Sequence, residues 1–130
     1  MSDFSVFTAD EIVNWMSQGT VGTPPSDLYV TLFDDTGTEL DDDLQNGRVQ
    51  TATGTGWDVT NTSFENAAQI DFGEATADFS IQEVALFDAA TGGNEIARYA
   101  IATAPQDITT GTRVFFPAGD LSFDVIDRTE

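Results

Sequence analysis

The side chains that most enzymes use for catalysis are largely missing from this sequence. The chain of 130 residues has no His, no Cys and no Lys, but it has 23 Asp and Glu residues. Nucleophilic catalysis by a Ser-His-Asp or Cys-His arrangement, or through a Lys Schiff base, is therefore excluded. Two carboxylates acting on a glycosidic bond would need only Asp and Glu, but no pair stands out among so many. The sequence thus predicts a protein that is not an enzyme and holds no cofactor.

A run of three aspartates provides the candidates for a metal site. Carboxylate oxygens are the ligands that calcium prefers, so Asp41 and Asp43 are the candidate cation contacts. A helix-loop-helix calcium site is excluded, because counting from Asp41 places Asn46 where such a site needs Gly and Ala52 where it needs Glu. We therefore interpret residues 34–47 as a solvated acidic loop and predict no specific metal site. The alternative is weakly bound cations between subunits.

One aromatic residue lies close to polar groups in the way that sugar-binding sites require. Trp57 is followed by Asp58 and Asn61, and these three are the candidate contacts for a glycan. The alternative is that Trp57 belongs to the core, as aromatic residues in strands usually do. Residues 61–63 (Asn-Thr-Ser) also fit the N-glycosylation pattern. We interpret that match as chance in a chain rich in Thr.

The charge balance is extreme, and it bears on both the partners and the habitat of the protein. Four arginines stand against the 23 acids, for a formal net charge of -19. Such repulsion destabilises a compact chain in dilute salt, whereas at molar salt the Debye length is about 3 Å and the repulsion is screened. Because the acids are spread over the loops and Lys is absent, we predict a protein made in a salt-saturated cytoplasm. Binding to nucleic acid or to an anionic membrane is not expected, since phosphates could not be neutralised.

The arginines are Arg48, Arg98, Arg113 and Arg128. With so few cations, each is expected to pair with carboxylates. Arg98 is the candidate for a buried or interfacial clamp, with Arg113 and Arg48 as alternatives. The first residues lack the basic start and apolar run of a signal peptide, and no stretch approaches the length of a membrane span. We therefore expect assembly in the cytoplasm.

The strongest structural signal is a hairpin over residues 82–103. Residues 84–87 (Val-Ala-Leu-Phe) form a near-continuous apolar run, as expected for a strand that is covered on both faces. Residues 92–94 (Gly-Gly-Asn) tolerate the positive φ angles of a tight connection. Ile81 and Val84 are three residues apart, which predicts a β-bulge that keeps both side chains inward. We place this hairpin at the centre of the sheet structure.

Short strands are predicted on both sides of the hairpin. They span residues 27–33, 48–52, 57–63, 66–72, 113–116 and 121–125, and residues 105–108 form a further short segment. About eight or nine short strands at this spacing indicate an all-β fold, an antiparallel β-sandwich or jelly-roll-like barrel. We predict one domain over residues 1–130, with an N-terminal arm and helix in residues 1–22 and a β core in residues 27–126.

A short N-terminal helix is predicted over residues 7–19. Thr8 is the expected N-cap, and Glu11 three residues later completes a capping box. The apolar face consists of Ile12, Trp15 and Met16, with Val13 at its edge. Because so short a helix is marginal alone, this face is expected to pack on an open end of the β core. Packing on a neighbouring subunit is the alternative.

Three short motifs, in this order along the chain, resemble a known family. They are residues 29–33 (Tyr-Val-Thr-Leu-Phe), residues 47–50 (Gly-Arg-Val-Gln) and residues 86–94 (Leu-Phe-Asp-Ala-Ala-Thr-Gly-Gly-Asn), with Ala97-Arg98 shortly after. The chain resembles small β-rich virion proteins of tailed viruses of bacteria and archaea, often called tail-fibre-associated or minor structural proteins. The resemblance covers about residues 8–126. It implies a fold and a virion setting rather than a chemistry.

Together with the acidic composition, this resemblance implies a structural component of a haloarchaeal tailed virus. The protein would be an accessory part of the capsid (a decoration or a vertex turret) or of the tail (a fibre or baseplate component). It would act in the virion as a homo-oligomer, through symmetric contacts with other virion proteins. The candidate contact residues are Phe4, Val6, Phe7, Trp15 and Arg98. The alternative function is a glycan- or receptor-binding module for host attachment.

Overall fold

The computed structural model describes residues 4–20, 22–60 and 63–124, which contain one α-helix and ten β-strands. The helix, α1, spans Val6–Gln18. The strands are β1 Asp27–Asp34, β2 Val49–Ala52, β3 Trp57–Thr60, β4 Ser63–Asn66, β5 Ile70–Glu74, β6 Phe79–Phe87, β7 Glu95–Ala100, β8 Gln106–Ile108, β9 Arg113–Phe116 and β10 Ser122–Asp124. All pairings are antiparallel, so the predicted all-β sandwich with a short N-terminal helix is confirmed.

Strand β6 is the centre of the largest sheet, here called the main sheet. It pairs with β1 along one edge and with β7 and then β8 along the other, and β2 pairs with the far side of β1. Val84, Ala85 and Leu86 are fully buried, which confirms the prediction that both faces of this strand are covered. The turn between β6 and β7 contains Gly92 and Gly93 at φ angles of 61° and 76°, as predicted.

The predicted bulge is present in β6. Phe33 of β1 pairs with Glu83, and the next residue, Asp34, pairs with Ile81, so Gln82 is the extra residue. The bulge turns Ile81 and Val84 to the same side, and both are buried at 2% and 0% exposure.

Two smaller sheets cover the main sheet. One has the order β10-β4-β3, and the other pairs β5 with β9. Phe123 of β10 is fully buried and packs edge-on against Tyr99 of β7, with ring centroids 4.9 Å apart. It also contacts the rings of Trp57 and Phe64 at 5.9 Å and 5.6 Å. This aromatic cluster joins the three-stranded sheet to the main sheet.

Two strand boundaries differ from the prediction. The single strand expected over residues 57–63 is two strands, because β4 begins at Ser63 and pairs back along β3 in a hairpin. The strand expected over residues 66–72 begins only at Ile70, since Asn66 already ends β4. The alternation of apolar and polar residues does not by itself show where the chain reverses between two short strands.

The acidic segment of residues 34–47 is a loop, as predicted, but it is not wholly solvated. Leu40 and Leu44 are buried in the core at 1% and 5% exposure. The backbone N–H groups of Gln45 and Asn46 donate to carbonyl oxygens of β5. The loop is therefore attached to the sandwich by two apolar side chains, whereas its aspartates remain partly or fully exposed.

The helix starts earlier than predicted. Ser5 is the N-cap, and its hydroxyl oxygen accepts from the backbone N–H of Thr8 at 3.2 Å. Thr8 is thus inside the first turn, and Glu11 accepts from the N–H of Gly22 instead of closing a capping box. Gly19 ends the helix at φ 67°, as expected. In the part of the chain described, no helix has the length and apolar character needed to cross a membrane.

Candidate functional site

Helix α1 is attached to the sandwich mainly through its first turn. Phe4 forms a β-bridge with Ala97 of β7, and the backbone N–H of Ser5 donates to the carbonyl of Ile96 at 2.8 Å. The hydroxyl of Thr8 donates to the same carbonyl at 2.9 Å. Phe4, a predicted partner contact, packs partly against the core of its own chain. These bonds cover part of the β7 edge and fix where the helix begins.

Beyond this turn most apolar side chains of the helix are exposed, whereas Ile12 is half-buried. No residue of α1 is buried, and Val6, Val13, Trp15 and Met16 are 78%, 58%, 62% and 72% exposed. The prediction that the apolar face packs on an open end of the β core is therefore wrong. Of seven large apolar side chains that are exposed in the described residues, five lie in α1. Such a concentration of exposed apolar surface is typical of a protein-protein contact.

A groove of about 500 Å³ runs beside the start of the helix. It is bounded by α1, by the connector that contains Pro24 and Pro25, and by the turn between β6 and β7. Phe7, which is 39% exposed, lines it together with Ile96. The Glu11 carboxylate holds the connector through the N–H of Gly22, so the groove has a defined wall. Phe7 is thus partly sheltered, whereas Val6 points into solvent.

The face of the main sheet that points away from the core carries a different arrangement. Two arginines and two phenylalanines stack there in the order Arg48, Phe87, Phe33, Arg98, and we call this set the Arg-Phe stack. The guanidinium carbon of Arg48 lies 4.1 Å from the Phe87 ring centre, and that of Arg98 lies 3.7 Å from the Phe33 ring centre. The two rings are stacked at 6.3 Å. Each cation therefore interacts with the negative face of an aromatic ring.

Arg48 is the most constrained residue of this stack. Its Nε and Nη2 donate to the two carboxylate oxygens of Glu39 at 2.7 Å and 2.9 Å. Its Nη1 donates to the carbonyls of Ala89 and Gly92 at 2.8 Å and 2.9 Å. The side chain is only 7% exposed. Arg48 thus joins the acidic loop to the turn between β6 and β7. Because Nε, Nη1 and Nη2 all donate hydrogen bonds within the chain, the guanidinium offers no pair of N–H donors to an external ligand.

The environment of Glu39 favours its charged form. Burial raises the pKa of this carboxyl group, but the hydrogen bonds from Arg48 and Thr31 and the charge of Arg48 outweigh that effect. The pKa of Glu39 therefore lies below its ordinary value. The hydrogen bonds that Arg48 donates to Glu39 in turn raise the pKa of Arg48.

The other described arginines also have carboxylate partners in their own chain. Arg98 pairs with Glu95 and, at 3.4 Å, with Glu83, and Arg113 pairs with Asp71. Arg98 thus has carboxylate partners, as expected for each arginine, and its role as an interfacial clamp stays a prediction. The buried arginine is Arg48, one of the two alternatives. Arg128 lies outside the described residues. The surface that the described residues offer to a partner is therefore apolar or acidic rather than basic.

Comparison with known families identifies the group to which this arrangement belongs. A family model, Gp80, described as podophage GP4 fiber I protein gp80, matches residues 3–124. The chain belongs to the Gp80 family. This confirms the predicted relationship to structural proteins of tailed viruses. A search of curated proteins found no match. The matched region includes α1, the main sheet and the Arg-Phe stack.

The candidate cation contacts of this Gp80-family chain are Asp41, which lies near the charges of Glu39 and Arg48, and Asp43. Burial raises the pKa of Asp41, and the nearby charges of Glu39 and Asp42 act in the same direction. Asp43 lines an open acidic depression with Asp34, Asp35, Asp78 and Asp107. Among the described residues, no group of three or more His, Cys, Asp or Glu is arranged to hold a metal ion. Weak cation binding at this surface stays a prediction.

Two of the three candidate glycan contacts, Trp57 and Asp58, lie in the described residues of this Gp80-family chain. Trp57 is 8% exposed, and its indole N–H donates to the hydroxyl of Thr51 at 2.9 Å. Its ring packs against Phe64 at 5.4 Å, so it belongs to the aromatic cluster and presents no open face for stacking on a sugar. Asp58 is exposed on β3, and Asn61 lies outside the described residues.

Proposed function

We propose that the chain is a non-enzymatic structural subunit of the fibre of a tailed virus that infects a haloarchaeon. In this role α1 is the surface through which the subunit joins the particle. The observation that carries the proposal is the concentration of exposed apolar side chains on α1, in a chain with a net charge of -19. Membership of the Gp80 family supports the fibre over a capsid decoration, a turret or a baseplate component.

The β-sandwich supports this division of roles because it is complete without α1. The largest fully buried side chains, including Phe72, Phe123 and Leu32, all come from strands and loops of the sandwich. Polar atoms in the interior are also satisfied, since no buried side-chain N or O among the described residues lacks a hydrogen-bond partner. The helix is therefore not needed to close the core, and its apolar face is available to other virion proteins.

The halophilic host is proposed from charge. Lys is absent, and the buried polar residues of the described chain are Thr31, Thr51 and Asn66, with no carboxylate among them. Such a surface needs salt, because the Debye length falls from about 10 Å at 0.1 M to about 3 Å at 1 M. The free energy of unfolding is therefore expected to rise between dilute and multimolar KCl. An unfolding midpoint that is the same at both concentrations would contradict a halophilic host. On this proposal the subunit is made in the host cytoplasm and ends in the virion.

A glycan-binding role has less support. Its central residue, Trp57, is part of the core, and the described arginines are occupied by carboxylates of their own chain. Acidic glycans in particular would meet a surface of like charge. We therefore do not adopt host attachment as the main function.

The proposal is tested by assembly of helix variants into particles. In the triple variant Val13→Gln, Trp15→Gln, Met16→Gln the apolar surface is lost, while Gln keeps a helix propensity close to that of Met. We expect this chain to be missing from purified particles of a virus that lacks the natural protein, as measured by immunoblot. The control Asn14→Gln, Ser17→Gln changes exposed polar positions of the same helix and is expected to assemble normally. Normal assembly of the triple variant would refute α1 as the contact surface.

A further inference from the structure

The exposed apolar residues of α1 follow a regular spacing. Val6, Ala9, Val13 and Met16 are separated by three, four and three residues, which is the a and d spacing of two heptads. All four are exposed on the helix. We call this line of side chains the seam. Residues at a and d form one stripe along a helix, and such a stripe packs against a second helix in a coiled coil.

The seam is not the side by which α1 is attached to its own sandwich. Ser5 and Thr8 make the attachment to β7. With 3.6 residues per turn, the seam lies roughly a quarter turn around the helix axis from these two residues. Met16 and Val6, at the two ends of the seam, are 72% and 78% exposed, so a second helix has access along its whole length.

Charge decides whether that second helix can belong to another copy of this chain. Within the helix, the positions that flank the seam are Ile12 at g, and Asp10 and Ser17 at e. In a parallel pair each g residue faces the next e residue of the partner, which gives Ile12 with Ser17. The position before Val6 is the N-cap Ser5, whose hydroxyl is hydrogen-bonded within its own chain. No two carboxylates face each other, although the whole chain carries a charge of -19. The seam is thus a surface where two copies meet without direct repulsion.

We infer that α1 pairs in parallel with α1 of a second copy of this chain through the seam. The inference rests on the proposed function, which makes α1 the contact surface, and it adds the partner and the register. Val at both a positions is a residue type that packs well in parallel coiled coils. In a parallel pair the two-fold axis runs along the helices, so both sandwiches lie at the same end of the pair. Trp15 lies outside the seam, and we expect it to contact a different virion protein.

Cysteine cross-linking tests this register directly, because the natural chain has no Cys that would interfere. In a parallel pair, like residues share a layer, so the single variants Ala9→Cys and Met16→Cys are each expected to form disulfide-linked dimers. The control is Asn14→Cys, an exposed position of the same helix that is off the seam. Full-length chains are oxidised at high protein concentration in multimolar KCl and run on non-reducing gels. A doubling of mass is expected for the two seam variants only.

An antiparallel pair gives a different pattern and would overturn the inference. Ala9 would then face Val13 of the partner, so cross-links would form only when Ala9→Cys and Val13→Cys chains are mixed. Equal cross-linking of Asn14→Cys and the seam variants would also overturn it, since the contact would be non-specific. Circular dichroism of each variant shows whether it is folded. Because two seam positions are tested, the experiment still gives a result if one variant fails to fold.

The failure of this inference is distinguishable from failure of the proposed function. If neither seam variant cross-links, yet the triple Gln variant is still missing from particles, α1 binds a different virion protein and the proposed function stands. If the seam variants cross-link but the triple Gln variant assembles normally, the copies pair through α1 and the particle contact lies elsewhere.

Discussion

The main sheet and α1 have similar apolar content, but they differ in burial. The sheet buries its apolar side chains within the chain, whereas the helix leaves most of them exposed. In β6 three consecutive residues are fully buried, and on the outer face of the sheet Arg48 binds Glu39, two carbonyls and an aromatic ring. In α1 no residue is buried, and the described contacts with the sandwich are concentrated at its first turn. The sandwich therefore completes its interactions within the chain, whereas the helix leaves them for a partner. Substitutions in the two regions are expected to separate stability from assembly.

The largest effect is expected in the aromatic cluster. Phe123→Ala removes a fully buried ring that contacts Trp57, Phe64 and Tyr99. Truncating a buried Phe costs about 3–5 kcal/mol of unfolding free energy. Urea unfolding in multimolar KCl measures this loss. The matched control is Phe115→Ala, whose ring is 48% exposed, and equal losses in the two variants would show that Phe123 is not in the core.

A somewhat smaller effect is expected in the Arg-Phe stack. Glu39→Gln leaves the guanidinium of Arg48, which is 7% exposed, without its counter-charge. Removing one partner of a buried ion pair costs on the order of 3 kcal/mol, because a buried charge stays unpaired. Asp71→Asn breaks the exposed pair with Arg113 and is the control, for which little change is expected. Similar unfolding midpoints for both variants would contradict a structural role of the stack.

The pH dependence of the unfolding free energy tests the role of Glu39 in the Arg-Phe stack further. The pKa of Glu39 is lower in the folded chain than in the unfolded chain, where it is about 4.3. The stability that ionised Glu39 contributes is thus present above pH 4.3 and is lost as the pH falls through its folded pKa. The difference in unfolding free energy between wild type and Glu39→Gln is therefore expected to shrink in acid. Measurement in multimolar KCl keeps general charge repulsion screened, and a constant difference would refute the assigned role of Glu39.

The smallest change in stability is expected in α1. The triple variant Val13→Gln, Trp15→Gln, Met16→Gln alters only exposed side chains, and surface substitutions usually change the unfolding free energy by less than about 0.5 kcal/mol each. Its unfolding midpoint in urea is expected to stay close to that of the wild type. A loss as large as that of Phe123→Ala would show that the helix packs on its own core in solution.

Much of the fold follows from local sequence, and what does not follow depends on distant contacts. Apolar runs and paired glycines predicted the hairpin of β6 and β7 and its bulge, because strand and turn preferences act over a few residues. The N-cap was misplaced by three residues, since Ser5 is selected by the carbonyl of Ile96 on another element. Leu40 and Leu44 were missed because isolated leucines among aspartates show no periodicity.

The candidate site was less predictable than the fold. The scarcity of cations correctly indicated paired arginines, but nothing in the sequence indicated that Arg48 would reach Glu39 and the carbonyl of Gly92. An amphipathic pattern shows that α1 has an apolar face but not what covers that face. The pattern favoured the core of the same chain, whereas the structure leaves the face exposed.

Hydrogen exchange of the free chain and of assembled particles tests the central claim most directly. If α1 is the surface that joins the particle, its backbone amides exchange more slowly in particles than in the free chain. The amides of β6, which are already buried within the main sheet, are expected to exchange at similar rates in both. Equal exchange of α1 in both states, with slowing elsewhere on the sandwich, would contradict the account.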